Sequence, residues 1–138
     1  MTLYLDANVF ILASIGEGEK ADNARAILKK IIMGESKGIT ASLTIDEIVW
    51  AILKETKDRT IATEQGLRVL QFDNLKIVSI DGQIMKKSLE LMQKYTSLKP
   101  RDAIHAVVAI NERASIIVSD DADFDVVKEI KRKSLTQV

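Results

Sequence analysis

The sequence has no cysteine, which excludes disulfide scaffolds, thiolate metal centres and cysteine nucleophiles. It has one histidine, His105, so a zinc site built from several imidazoles is excluded as well. Pro100 is the only proline and the six glycines are scattered, so no linker divides the 138 residues. A chain of that length fits one domain, residues 1–138. No apolar run approaches the roughly 18 residues that cross a bilayer. The N-terminus lacks the basic start and apolar stretch of a secretory leader, so the expectation is a cytoplasmic protein without membrane contact. Neither sign of charge is in excess: Lys and Arg total 20, as do Asp and Glu. That argues against a broadly basic nucleic-acid binder, and any polyanion must be gripped by locally placed charge.

What is present is an alternation of short β-type runs and longer helical ones. Leu3-Tyr4-Leu5 stops at Asp6, and residues 16–19 read as a loop. Apolar residues at 24, 27, 28, 31 and 32 predict a helix from Lys20 to Glu35. A strand follows at Ile39–Ser42, then helices over about Thr44–Glu55 and Thr60–Gln71, then a strand at Lys76–Ile80. Asp81 can cap a helix with Ile84, Met85, Ser88, Leu89, Met92 and Tyr95 on one side. Another helix runs over about Arg101–Arg113, followed by a strand at Ser115–Val118 and an acidic turn to Asp125. The tail turns basic at Lys131–Lys133. Strands alternating with helices predict a parallel α/β sheet covered on both faces.

The acids fall at the places where such a fold binds ligands. Asp6 ends the first strand, and Asp120, Asp121 and Asp123 follow the last one. Ligands of open parallel sheets sit outside the carboxyl ends of the strands. Glu47 and Asp102 lie in the first turns of two helices, which start at that same edge. Converged carboxylates repel, and either some protonate or a divalent cation binds. All-oxygen ligands suit Mg²⁺ or Mn²⁺, and the chemistry is phosphoryl-transfer hydrolysis. Each acid also has a plainer reading. Thr44 with Glu47 matches a capping box, Asp102 suits a helix dipole, and the Asp-rich turn can be solvated surface. His105, in a nearly all-apolar segment, reads as a packed, hydrogen-bonded residue rather than a ligand, and Trp50 as a packing residue.

The set as a whole resembles the PIN domain, the nuclease domain of VapC-type toxins. Leu5-Asp6-Ala7-Asn8-Val9-Phe10-Ile11 is similar to its opening strand and acid, and Ser42-Leu43-Thr44-Ile45-Asp46-Glu47 to its second motif. Pro100-Arg101-Asp102-Ala103-Ile104-His105-Ala106 is similar to the third, and Ile117-Val118-Ser119-Asp120-Asp121-Ala122-Asp123-Phe124 to the fourth. Asp120 departs from the asparagine common there. The resemblance implies a Rossmann-like three-layer fold, a central parallel sheet flanked by helices. It implies a Mg²⁺- or Mn²⁺-dependent ribonuclease that forms a homodimer and is inhibited by an antitoxin. Carried over, Asp6, Glu47, Asp102 and Asp121 would hold metal and water. Asn8, Ser119, Asp120 and Asp123 would support them. Ser119 would bond a carboxylate or a phosphate.

Lys99, Arg101 and the basic tail are candidates for gripping an RNA backbone, with solvated surface charge as the alternative. Single-stranded or looped RNA is favoured over duplex. Ile48–Leu53 is six apolar residues in a row, more than one buried face needs. The surplus face, with Trp50, Ile52 and Leu53, is expected to meet another chain unless the next helix covers it. The rival function is a catalytically silent PIN-fold module that binds RNA or protein. A phosphoacceptor receiver is disfavoured by Ala7 and Ser119, and a haloacid-type phosphatase by Asn8 where a second aspartate is needed.

Overall fold

The computed structural model describes residues 1–138. Side chains of a strand alternate between faces, and this sets the layers. In β1 (Thr2–Leu5), Leu3 and Leu5 enter one apolar core and Tyr4 enters the other. In β4 (Ile116–Val118), Ile116 and Val118 take the first face and Ile117 the second. The two cores hold 16 and 15 buried residues, so both faces are covered about equally.

Helices α1 (Ala7–Ile15), α2 (Glu19–Ile32), α3 (Ser42–Thr56) and α4 (Arg59–Leu70) supply the first core. Helices α5 (Gly82–Lys94) and α6 (Pro100–Asn111) cover the second face. With β2 (Lys37–Ala41), β3 (Leu75–Val78) and β5 (Arg132–Lys133), the sheet has five strands in the order β3-β2-β1-β4-β5, all parallel. The expected parallel α/β architecture is therefore present. The order reverses direction at β1, so the topological switch lies between β1 and β4.

Two elements had no sequence signal. Helix α1 is apolar at nearly every position, so it carries no stripe of period 3.6 to read. Strand β5 is two basic residues long, paired to β4 at Ile117–Arg132 and Val118–Lys133. The basic tail is thus partly sheet. It is latched by fully buried Leu135, whose carbonyl accepts from Asn23 Nδ2 at 2.7 Å.

The apolar run of α3 is used up mostly inside the molecule. Ile48 and Ile52 face the first core, and Val49 meets α4 so closely that a Cβ on Gly66 would lie 2.8 Å from its Cγ2. Ile52 is 0% exposed and Leu53 is half-buried against the same core. Ile52 is therefore corrected from interface to core: α3 is sandwiched between sheet and α4, and only Trp50, 60% exposed, is left outside.

Candidate active site

Asp6 follows β1, and its amide still donates to Val118 O, extending the strand pairing by one residue. Its side chain caps α1: Oδ1 accepts from Ala7 N at 2.8 Å. Oδ2 accepts from Ser119 Oγ at 2.6 Å. Ser119, fully buried after β4, also accepts from Asp121 N at 3.0 Å and from Asn8 Nδ2 at 3.4 Å. One proton and two lone pairs are all a hydroxyl has. Ser119 is therefore committed to the Asp6 carboxylate and has nothing left for a phosphate. Asn8 reaches Asp6 only through Ser119, and its Oδ1 is buried without a partner.

Glu47 is not a capping residue. Helix α3 starts at Ser42 with Ala41 at its cap, and Thr44 Oγ1 bonds Thr40 Oγ1 at 2.7 Å instead. That frees Glu47 to point across the cleft, where Oε1 lies 2.5 Å from His105 Nε2. His105 is 1% exposed and bonded at both ring nitrogens, the second to Tyr4 Oη at 2.6 Å. It is packed and satisfied, as its apolar segment implies. Nothing in the sequence spacing points to its partnership with Glu47 and Tyr4, since the three lie on different elements.

Asp102 sits in the first turn of α6, behind Pro100 at the helix start. Its ligand atom, with those of Asp121 and Asp123, forms one group within 4.8 Å; Asp6, Glu47 and His105 form another. Burial, then the Asp121 and Asp6 charges, pushes the Asp102 carboxyl up to about 7, with His105 working the other way. Asp121 Oδ1 accepts from Asp123 N at 2.9 Å and caps the 3₁₀ turn Ala122–Val126. Asp123 is more exposed and pairs with Lys99 Nζ at 3.4 Å.

Asp120 belongs to a different neighbourhood. Its Oδ1 accepts from Leu135 N at 2.9 Å and its Oδ2 pairs with Lys20 at 3.0 Å. Partial burial works against its charge, but the Leu135 amide and Lys20 prevail and hold its carboxyl below the usual range. It fastens the C-terminal tail rather than facing the other acids.

Asp6, Glu47, Asp102 and Asp121 line one cleft of about 270 Å³ at the switch point, with Arg101 and Trp50 on its wall. Asp46 lines it too, an acid the sequence reading passed over. A larger groove of about 420 Å³ between α5 and α6 gathers no such set, so chemistry and not size marks the site. The donor set fits a hard divalent cation: carboxylate oxygens predominate, and a cation would relieve the Asp121 and Asp6 repulsion that adds to burial in lifting Asp102. Asp6, Glu47, Asp102 and Asp121 would hold it.

The PIN domain model matches residues 3–130, and the chain belongs to the PIN domain family. No curated protein matches by sequence. Among solved structures, VapBC2 from Rickettsia felis, bound to a DNA fragment from its promoter, superposes with a TM-score of 0.74 at 16% identity, covering 97% of this chain and 98% of that one. VapC20 from Mycobacterium tuberculosis, described as a sarcin–ricin loop cleaving toxin, gives 0.76 at 10% identity over 94% and 98%. DNA-bound VapBC from Salmonella typhimurium gives 0.64 at 20% identity over 98% of each. At these identities the likeness is one of fold.

Proposed function

We propose that the protein is an endoribonuclease dependent on Mg²⁺ or Mn²⁺, acting as the toxin of a toxin–antitoxin pair. The observation that carries this reading is the meeting of Asp6, Glu47, Asp102 and Asp121 in one cleft, from four separate elements. When bound, the cation supplies a lowered pKa for water and neutralises charge on the phosphate. The chain's own groups do the rest. Asp6 is held in one rotamer by Ala7 N and Ser119. Glu47 has one oxygen fixed by His105, and the other can orient the attacking water. Asp123 supports Asp121 from the rim, next to Lys99.

Arg101, on the cleft wall, is the group best placed to steady a substrate phosphate; Lys99 is partly neutralised by Asp123. A metal cleft must reach one backbone phosphate, and unstacked RNA is easier to grip there than duplex, which favours single-stranded or looped RNA. Such a substrate puts the enzyme in the cytoplasm. Neighbours described as toxin–antitoxin assemblies support a separate antitoxin chain as inhibitor. Trp50, exposed beside the cleft, is the contact offered to a second copy or to that antitoxin. No helix is long and apolar enough to cross a membrane.

The test is a structured RNA pool incubated with purified protein in Mg²⁺, Mn²⁺ or EDTA, beside Asp6→Asn and Asp102→Asn. Metal-dependent cleavage that both substitutions abolish is the expected result. Absence of cleavage by folded, inhibitor-free protein would count against it, in favour of a silent binding module or a very narrow substrate.

A further inference from the structure

Tyr4, His105 and Glu47 form a chain of hydrogen bonds from the core to the cleft. Tyr4 is 0% exposed on β1, His105 is on α6 and Glu47 on α3. The imidazole is wedged edge-on between Tyr4 and Phe124, at ring separations of 5.7 and 6.5 Å, so its plane is fixed by packing. A carboxylate can only accept, so the proton between His105 and Glu47 sits on Nε2. The Tyr4 hydroxyl engages the other nitrogen, Nδ1. Asp6 Oδ1 lies 3.7 Å from the same Nε2, too far to share its hydrogen bond but close enough for its charge to be felt there.

We infer that His105, steered by Tyr4, is a positioning residue for Glu47: it ties down Oε1 and leaves Oε2 for the cation and its water. His105 itself reaches neither solvent nor substrate. Its part is to fix the rotamer of a long, flexible acid that otherwise would have to be ordered on binding. Partners of this kind commonly govern metal affinity by about 10–100-fold. The inference rests on the proposed metal site, with Glu47 as one of its ligands.

The chain has a single histidine, so its ring signals need no assignment. In ¹H–¹⁵N spectra of the full protein, Nε2 is expected to be protonated and its resonance to move when Mg²⁺ is added. Tyr4→Phe keeps the ring and removes only the hydroxyl. It is expected to fold and to weaken Mn²⁺ binding about threefold to tenfold, measured calorimetrically. A purely structural pair would lower the melting temperature and leave the Mn²⁺ dissociation constant unchanged. A ring indifferent to Mg²⁺ that demonstrably binds, or unchanged Mn²⁺ affinity in Tyr4→Phe, overturns the inference alone. Wild type that binds neither ion overturns the metal site and this inference together. Metal binding without RNA cleavage overturns only the proposed activity.

Discussion

The Ser119 hydroxyl donates to Asp6 Oδ2 and accepts from the Asp121 amide, so one buried oxygen joins the acid after β1 to the acid after β4. Ser119→Ala leaves that amide and the Asn8 amide group without their acceptor at the half-buried floor of the cleft. The expected cost is about 1–3 kcal/mol of stability, with Mn²⁺ affinity down about tenfold as Asp6 loses its fixed orientation. Urea unfolding and a Mn²⁺ titration measure the two effects. A variant matching wild type in both would show that the hydroxyl is dispensable.

Asp102 makes the metal-free protein sensitive to pH. Unfolded, its carboxyl ionises near the ordinary aspartate value of 3.8; folded, burial and then Asp121 and Asp6 delay ionisation to about 7. The unfolded chain releases this proton first, so stability from this group is full below pH ~4 and is lost as pH rises through ~7. In EDTA, Asp102→Asn is therefore expected to be more stable than wild type at pH 8, by about 1–2 kcal/mol after allowance for the half of the group that water reaches. The difference should vanish near pH 4. Mg²⁺ should stabilise wild type more than the variant. Thermal melts at the two pH values, with and without the ion, decide; a variant less stable than wild type in EDTA at pH 8 contradicts the repulsion.

Asp120 has the opposite sign and a different location. Its carboxyl is held below the ordinary range, so its contribution is present above pH ~4 and is lost as pH falls through its lowered value. Asp120→Ala removes the acceptor for Leu135 N and the partner of Lys20. A loss of about 1 kcal/mol is expected near neutrality, shrinking in acid. Mn²⁺ affinity should stay at the wild-type value. A large drop in affinity would mean that Asp120 turns toward the acid cluster in solution.

How much of this was legible depends on the kind of signal. Strand and helix order was readable because most helices keep a wet face and with it a 3.6 pattern, while the strands, covered on both faces, stand out as short apolar, β-branched runs. It failed for α1, which is apolar all round, and for β5, which is held by backbone pairing and has no apolar pattern of its own. The acids could be placed because strand ends and helix starts share one edge of a parallel sheet. What spacing could not say was which acid of the Asp120–Asp123 turn faces the cleft, since that depends on Leu135 and Lys20, far off in sequence. Glu47 looked like a cap because Thr44 precedes it by three. The helix begins three residues earlier than that pattern requires, with Ala41 rather than Thr44 at the cap, and the Thr44 hydroxyl bonds Thr40.

Trp50 and Ile52 are two residues apart on α3 and should behave oppositely. Ile52 is wholly enclosed between the sheet and its helices, so Ile52→Ala opens a cavity and is expected to cost about 2–5 kcal/mol. Trp50 has 60% of its surface in water, and Trp50→Ala should change stability by only about 0.5 kcal/mol. The indole does not hold the monomer together. A large aromatic left in water beside Ile11 and Ala51 is instead suited to anchor a second chain. If two copies meet there, Trp50→Glu should shift the protein to monomer in light scattering at tens of micromolar while its melting temperature as a monomer holds. If Trp50→Ala unfolds at lower urea than Ile52→Ala, the indole is a core residue after all and α3 has no face to spare.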